Sequence, residues 1–245
     1  MSAQEGKAHD VRNLSEQAYD LVRRDILNGE LFPNDKIQVD VLSSRYGIGS
    51  VPLREALNRL SSEGLVERKS HRGFFVTAIS MANLEELVKT RIWLETLALR
   101  ESMANGDEAW EEALVVSCHR LTRTHRRLPA EAGREAAEEW EERHKEFHLL
   151  LLSRCESSWL LNFCSTMMDQ AVRYRNLSMN TNPSRARREG AAAEHQALLD
   201  AVLEHDPERA CDLLADHYRT TLSGLRHVIP DEREDVIGLA AKSAN

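Results

Sequence analysis

The sequence predicts a mainly α protein in two parts: an N-terminal winged helix-turn-helix, then an all-α antiparallel helical bundle. Two observations carry that reading. From Gly29 to Val76 the chain offers a helix, a glycine-bearing turn, a second helix and a short basic hairpin, in that order. Beyond Thr77 helical periodicity dominates and β-branched alternation nearly vanishes.

The turn is written in Tyr46-Gly47-Ile48-Gly49-Ser50. Before it, Val39, Leu42 and Ser43 recur at helical spacing, with Asp40 or Ser43 placed to serve near a cap. Gly47 supplies the left-handed conformation that ends the first helix. Ser50 is expected to cap the next helix, and Pro52 suits its first turn. Leu53, Ala56, Leu57 and Leu60 then recur at three- and four-residue steps, so one face packs inward. The opposite face offers Arg54, Asn58 and Arg59 to a major groove. Gly64 breaks that helix. Leu65–Arg68 and Gly73–Val76 read as strands joined by a tip of Lys69-Ser70-His71-Arg72, placed to touch phosphates or the minor groove. The expected DNA-contacting residues are Ser43, Arg45, Ser50, Val51, Pro52, Arg54, Asn58, Arg59, His71, Arg72 and Gly73.

Residues from about Leu14 to Thr77 resemble the GntR family of bacterial transcription regulators. The matching positions are Gly29, Leu31, Pro33, Leu42, Gly47, Pro52, Leu53-Arg54-Glu55-Ala56-Leu57, Leu60, Glu63-Gly64-Leu65 and Arg72-Gly73. Two positions depart from the pattern. Ser50 stands where the family often has Arg, which removes a guanine or phosphate contact and leaves Arg54 as the best one. Asn34 stands where a Gly is common, and Asn tolerates the left-handed turn. The resemblance implies a double-stranded DNA operator as partner.

Charge is divided between the two parts. Net charge is −8, yet Met1–Thr77 holds 11 Lys/Arg against 11 Asp/Glu, so the remainder carries all of it. Within Ser43–Val76 the count is 6 basic to 3 acidic, a local patch suited to a homodimer that doubles its phosphate contacts. No apolar run approaches the roughly 20 residues that span a bilayer. The polar amino terminus has no signal-peptide core, and no membrane partner and a cytoplasmic location are expected. Cys118, Cys155, Cys164 and Cys211 have no metal-type spacing and read as reduced core thiols. The expected organisation is a tail over 1–13, the winged domain over 14–77, an effector, metal-binding and dimerisation domain over 81–229, and a tail over 230–245.

Six helices are expected in that second domain. They cover about Met81–Ala104, opened by Ser80 and closed near Asn105-Gly106, then Glu108–Arg127, Arg134–Arg154, Ser158–Met179, Ser184–Glu204 and Pro207–Val228. Leu128–Gly133 reads as a loop. Glu135–Arg143 and Arg185–Arg188 read as solvated helix faces. Trp93, Trp140, Trp159 and Phe163 read as core or dimer contacts.

His144 and His148 stand at i and i+4 on the third of these helices, so both rings leave one face. His195 and His217 follow on the fifth and sixth. Imidazole ligands from facing helices are a common way to build a metal site in a bundle, although an HxxxH pair alone is weak evidence.

Residues from about Leu84 to Leu225 resemble the FCD domain, the ligand-sensing half of the FadR-like GntR subgroup. The matching positions are Arg91 with Leu94-Glu95, Phe147-His148, Glu194-His195 and His217. In metal-binding members an Asp and three His converge on one divalent ion. The resemblance puts His148, His195 and His217 on the histidine positions and His144 where that group has Asp. His144 then either completes a four-histidine site favouring zinc, with nickel or copper as alternatives to it over manganese, or does not ligate. The family also implies a small organic acid or related metabolite as effector. Arg91 and Arg173, on helices expected to border the bundle interior, are candidate guanidinium partners, or else solvated arginines or structural salt bridges, with Glu95 one turn from Arg91. The resulting expectation is a metabolite-responsive DNA-binding regulator, more a repressor than an activator. Two other readings compete: a metal-dependent hydrolase built on the histidines, and a DNA binder with an inert helical domain. The chain has no Gly-rich phosphate loop, nucleophile elbow or HExxH motif to favour an enzyme.

Overall fold

In a computed structural model the backbone is described over residues 2–124, 134–181, 185–226 and 229, and the side chains over 14–124, 138–176, 190–226 and 229. The chain divides into two compact units, one ending at Ile79 and the other beginning at Ser80.

The first unit comprises α1 (Ser2–Leu27), β1 (Lys36–Ile37), α2 (Val39–Tyr46), α3 (Ser50–Ser62), β2 (Val66–Lys69) and β3 (Gly73–Val76). Its core is a layer of fully buried aliphatics: Ala18 and Val22 of α1 against Leu53, Leu57 and Leu60 of α3, closed by Leu65, Val66 and Val76. Helix α1 is not among the elements expected from the pattern, and its first turns fall in the segment read as a tail. The three strands are antiparallel in the order β1-β3-β2, with Val66 opposite Val76 and Lys69 opposite Gly73. Strand β1 adds an edge that the two-stranded reading omits.

Gly47 ends α2 in the left-handed region, at φ 66° and ψ 22°. Asn34, at φ 69°, takes the left-handed turn that its amide side chain tolerates. The caps differ from expectation. Gln38 rather than Asp40 or Ser43 stands at the start of α2, and Gly49 rather than Ser50 starts α3, neither with a side-chain cap bond. Ser50 is therefore inside the helix, one place too late to accept from its free amides.

The second unit has six helices among its described residues: α4 (Met81–Asn105), α5 (Glu108–Arg123), α6 (Arg134–Leu151), α7 (Ser158–Thr181), α8 (Arg185–Leu203) and α9 (Pro207–Leu225). Four starts are capped by side chains: Ser80 accepts from the Asn83 amide at 3.1 Å, Asp107 from Trp110 at 2.8 Å, Ser157 from Leu160 at 3.2 Å and Asp206 from Arg209 at 3.0 Å. Helix α6 stops three residues before the expected end, in turns that lead to Glu156 at φ 55°. Gly106 follows α4 with an ordinary backbone conformation; a side chain there would collide with the Trp110 ring. Leu84, Leu99, Leu114, Phe147, Leu151, Leu198 and Leu214 form the core, and all four cysteines are buried and free. The loop expected over 128–133 and the tail over 230–245 lie outside the described residues, as do the side chains of Arg185–Arg188.

Candidate DNA-reading surface and histidine centre

In α3 the pattern separates two faces. Leu53, Ala56, Leu57 and Leu60 are buried, while Ser50, Val51, Arg54, Asn58 and Arg59 are exposed. Pro52 departs from its expected role. It is buried on the core side of the first turn, where it shapes the helix start and offers no surface to DNA. Val51, 62% exposed, presents a methyl pair at the helix start.

The arginines of this unit differ in freedom. Among the described residues nothing holds Arg54 by a hydrogen bond or ion pair. Arg59 lies 3.8 Å over the Tyr19 ring and 3.4 Å from Glu63. Arg45 is 3.1 Å from Asp25 and also bonded to Glu30. Asp25 is fully buried and accepts the Tyr46 hydroxyl at 2.5 Å, while its carbonyl accepts the amides of Glu30 and Leu31. Burial, then the bond to Asp25, pushes the Tyr46 phenol far up, so it stays a donor. Ser43 donates to the Ile48 carbonyl at 2.7 Å and thereby ties the turn rather than facing outward. Arg45 and Ser43 thus anchor the helix-turn-helix from beneath.

At the wing, His71, Arg72 and Gly73 are exposed. His71 at φ 57° and Gly73 at φ 96° make the reversal, and Lys69 lies 4.9 Å over the Phe75 ring. A side chain on Gly73 would make an ordinary contact with Lys36 Cε at 3.8 Å, so its backbone angle is what a substitution would strain.

The second unit gathers its histidines. Ligand atoms of His144, His148, His195 and His217 all lie within 4.8 Å of one another, and each residue is at most 6% exposed. The α6 pair, α8 and α9 each present one or two rings to a common centre. His148 Nε2 and His195 Nε2 are 3.3 Å apart. Two imidazole nitrogens on a tetrahedral zinc are separated by about 3.3–3.4 Å, given Zn–N bonds of about 2.0–2.1 Å. The donor set therefore fits a borderline-soft divalent ion. Burial pushes His144 and His148 well below the ordinary imidazole pKa, reinforced at His144 by His148 and Arg175 and at His148 by His195 and His217. Both rings are neutral at neutral pH, the form a metal ligand requires.

Around the rings stands a set of charged groups that the sequence reading only partly named. His217 Nδ1 lies 2.6 Å from Glu194 Oε2. Tyr218 OH donates to Glu95 Oε2 at 2.5 Å and sits 3.2 Å from His148 Nδ1. Arg91 Nε donates to Glu95 Oε1 at 2.6 Å, with its guanidinium carbon 4.1 Å from the Tyr218 ring centre. Arg175 bonds Glu141 at 2.5 Å, both nearly buried. Trp140 stacks on His144, ring centres 4.7 Å apart.

These contacts bear on three expectations. Arg91, 3% exposed, is engaged by Glu95. Arg173 donates to Gln170 at 3.0 Å, and burial brings its pKa down to about 10. The charge of Arg175 bears on His144 and His148, and that of Arg91 on His148. The Glu135–Arg143 face is not all solvated, since Trp140 and Glu141 turn inward while Glu139 and Glu142 face water. Glu141, His144 and His148 share an i, i+3, i+7 stripe, a signal that was available in the sequence.

A winged helix-turn-helix with a separate helical unit built around buried polar groups defines a DNA-binding regulator with a sensing domain. Residues 14–76 match the bacterial regulatory proteins of the gntR family, and residues 86–220 match the FCD domain. The chain belongs to the GntR family and carries an FCD domain. Its similarity to the uncharacterized HTH-type transcriptional regulator BphR of Paraburkholderia xenovorans (strain LB400) is 37% identity, over 89% of this chain and 87% of that one. The HTH-type transcriptional repressor GlaR of Escherichia coli (strain K12) is 31% identical, over 83% and 92%. In fold the chain is similar to E. coli McbR/YncC, with a TM-score of 0.72 at 20% identity, over 87% of this chain and 97% of that one. It is thus a bacterial transcription regulator that binds DNA, not an enzyme, and the hydrolase reading falls. Among the described residues no helix is long and apolar enough to cross a membrane.

Proposed function

We propose that this regulator is a homodimeric, metal-bearing repressor that binds a near-palindromic operator and responds to a small organic acid or related metabolite. The observation that carries the reading is the convergence of four buried imidazoles in the FCD domain. His148, His195 and His217 hold a divalent ion, with His144 as fourth ligand in place of a carboxylate. An all-imidazole donor set favours zinc, with nickel and copper next. When bound, the ion supplies a positive centre that attracts an anionic effector.

On the DNA side, Arg54 is the leading base or phosphate contact, joined by Ser50, Val51, Asn58 and Arg59 of α3 and by His71, Arg72 and Gly73 of the wing. Arg173, on α7 of the bundle, is the guanidinium proposed to meet a carboxylate of the effector. Two exposed i,i+4 pairs support the dimer: Trp93 with Leu97 on α4, and Trp159 with Phe163 on α7, helices that pack together. Large apolar side chains left in water on neighbouring helices mark an association surface. Repression is supported by the relative named as a repressor.

The test is elemental analysis of protein purified without chelator, followed by a mobility-shift assay on its own promoter fragment. Stoichiometric metal, and a shift altered by a chelator, are expected. Stoichiometric metal with DNA affinity blind to chelator and metabolites would favour an inert helical domain. Absence of metal would remove the centre from the reading.

A further inference from the structure

We propose that two carboxylates outside the histidine centre, Glu194 and Glu95, set the tautomers of His217 and His148, so that both rings turn a bare Nε2 toward the centre. This rests on the metal reading above and adds the positioning residues that nothing there assigns.

The argument is one of donors and acceptors. A neutral imidazole carries one N–H, and which nitrogen bears it is decided by what each nitrogen faces. At His217 the case is direct. Nδ1 faces Glu194 Oε2 at 2.6 Å, a carboxylate oxygen can only accept, and so Nδ1 carries the proton. In the neutral ring, the form a metal ligand takes, Nε2 is left with its lone pair.

At His148 the same result is reached through Tyr218. Arg91 holds Glu95 as an ion pair on α4, and the pair is 4% and 0% exposed. Tyr218 has one hydroxyl proton, and the ion-paired carboxylate at 2.5 Å takes it. The phenol oxygen therefore turns lone pairs toward His148 Nδ1, 3.2 Å away, and Nδ1 must donate. Again Nε2 is bare. Arg91, Glu95 and Tyr218 form a relay whose last member fixes a histidine. This gives the buried Arg91 a positioning task in the relay.

A consequence follows at His195. Its Nε2 faces His148 Nε2 at 3.3 Å, and two bare lone pairs at that distance repel. Without a metal, His195 Nε2 is the donor of that pair. Metal uptake through the same atom then requires His195, not His148 or His217, to move its proton to Nδ1. Second-layer hydrogen bonds of this kind raise ligand basicity, and their loss weakens metal binding by about 10- to 100-fold.

Tautomers are read directly by long-range nitrogen–proton correlation on histidine-labelled full-length protein, with and without zinc. In the metal-free wild type, His148 and His217 are expected as the Nδ1–H form and His195 as the Nε2–H form, with only His195 changing on zinc addition. Tyr218→Phe removes one oxygen and should release His148 to the Nε2–H form. Glu194→Ala should do the same at His217, whereas Glu194→Gln keeps an acceptor and should preserve the wild-type tautomer. Competition against a zinc chelator should show the Tyr218→Phe and Glu194→Ala proteins about 10- to 100-fold weaker, with Glu194→Gln in between. Wild-type His148 or His217 in the Nε2–H form would overturn the inference. So would zinc affinity unchanged in both weakened variants. Wild-type protein that takes up no zinc would instead overturn the metal reading itself, and this inference with it.

Discussion

Trp140 lies nearly parallel to His144, with ring centres 4.7 Å apart and planes 21° from each other. An indole stacked on one candidate ligand reports on that ligand. Adding nickel or copper to the metal-free protein should quench Trp140 emission, and Trp140→Phe should remove most of the response while the exposed Trp93 and Trp159 remain. A response that survives in Trp140→Phe would argue that His144 stands outside the coordination.

The histidines act as a set. Replacing His195 and His217 together by Ala should abolish stoichiometric metal uptake measured by elemental analysis, since two ligands cannot retain a divalent ion against solvent. Metal retained at one per chain would reject the centre. Replacing His144 alone by Asp, the carboxylate of the related metal-binding domains, should preserve uptake and shift preference toward harder ions such as manganese.

Acid sensitivity follows from the depressed pKa values of His144 and His148. In the unfolded chain each ring takes a proton near pH 6.5, whereas the folded, metal-free protein refuses it. The unfolded state then binds more protons, so stability falls as pH drops below about 6.5, approaching about 1.4 kcal/mol per pH unit for each ring. Above about pH 7 the two contribute no slope. Urea midpoints of chelated protein between pH 7.5 and 5 should show this decline, and a His144→Leu/His148→Leu protein should show a flatter one. Equal slopes would mean that the rings are protonated in the fold.

Arg54 stands exposed on α3 without a partner in its own chain among the described residues, so its removal should leave the fold intact. Arg54→Ala should lose about 1–3 kcal/mol of operator affinity at fixed salt, with an unchanged melting temperature. Arg45→Ala should behave differently. By leaving the buried carboxylate of Asp25 with one partner fewer, it should lower the melting temperature as well. Equal thermal stability of the two variants would contradict the anchoring role of Arg45.

Gly106 separates α4 from α5 with the Trp110 ring filling the space where a side chain would start. Gly106→Ala should cost about 1–3 kcal/mol through displacement of that ring, whose indole N–H also donates to Leu150 at 2.8 Å. Denaturant unfolding of the two proteins measures it directly.

Local chemistry makes much of this molecule legible in the sequence alone. Gly47 ends α2 because only a left-handed residue reverses the chain there. Ser80 and Asp206-Pro207 start α4 and α9 because their side chains and ring suit a helix N-terminus. His144 and His148 share a face because 3.6 residues make a turn. Each of these is decided by neighbours within a few positions. What only the tertiary structure decided depends on groups far apart in sequence. Strand β1 is two residues long and exists by pairing with β3. Arg91 could as well have faced solvent or a ligand, and it is Tyr218, more than a hundred residues later, that makes it part of a buried relay. Arg175 meets Glu141, and His195 meets His148, only when the helices close. A helical period says which side chains leave one face together; it does not say which charges will be waiting on the face they meet.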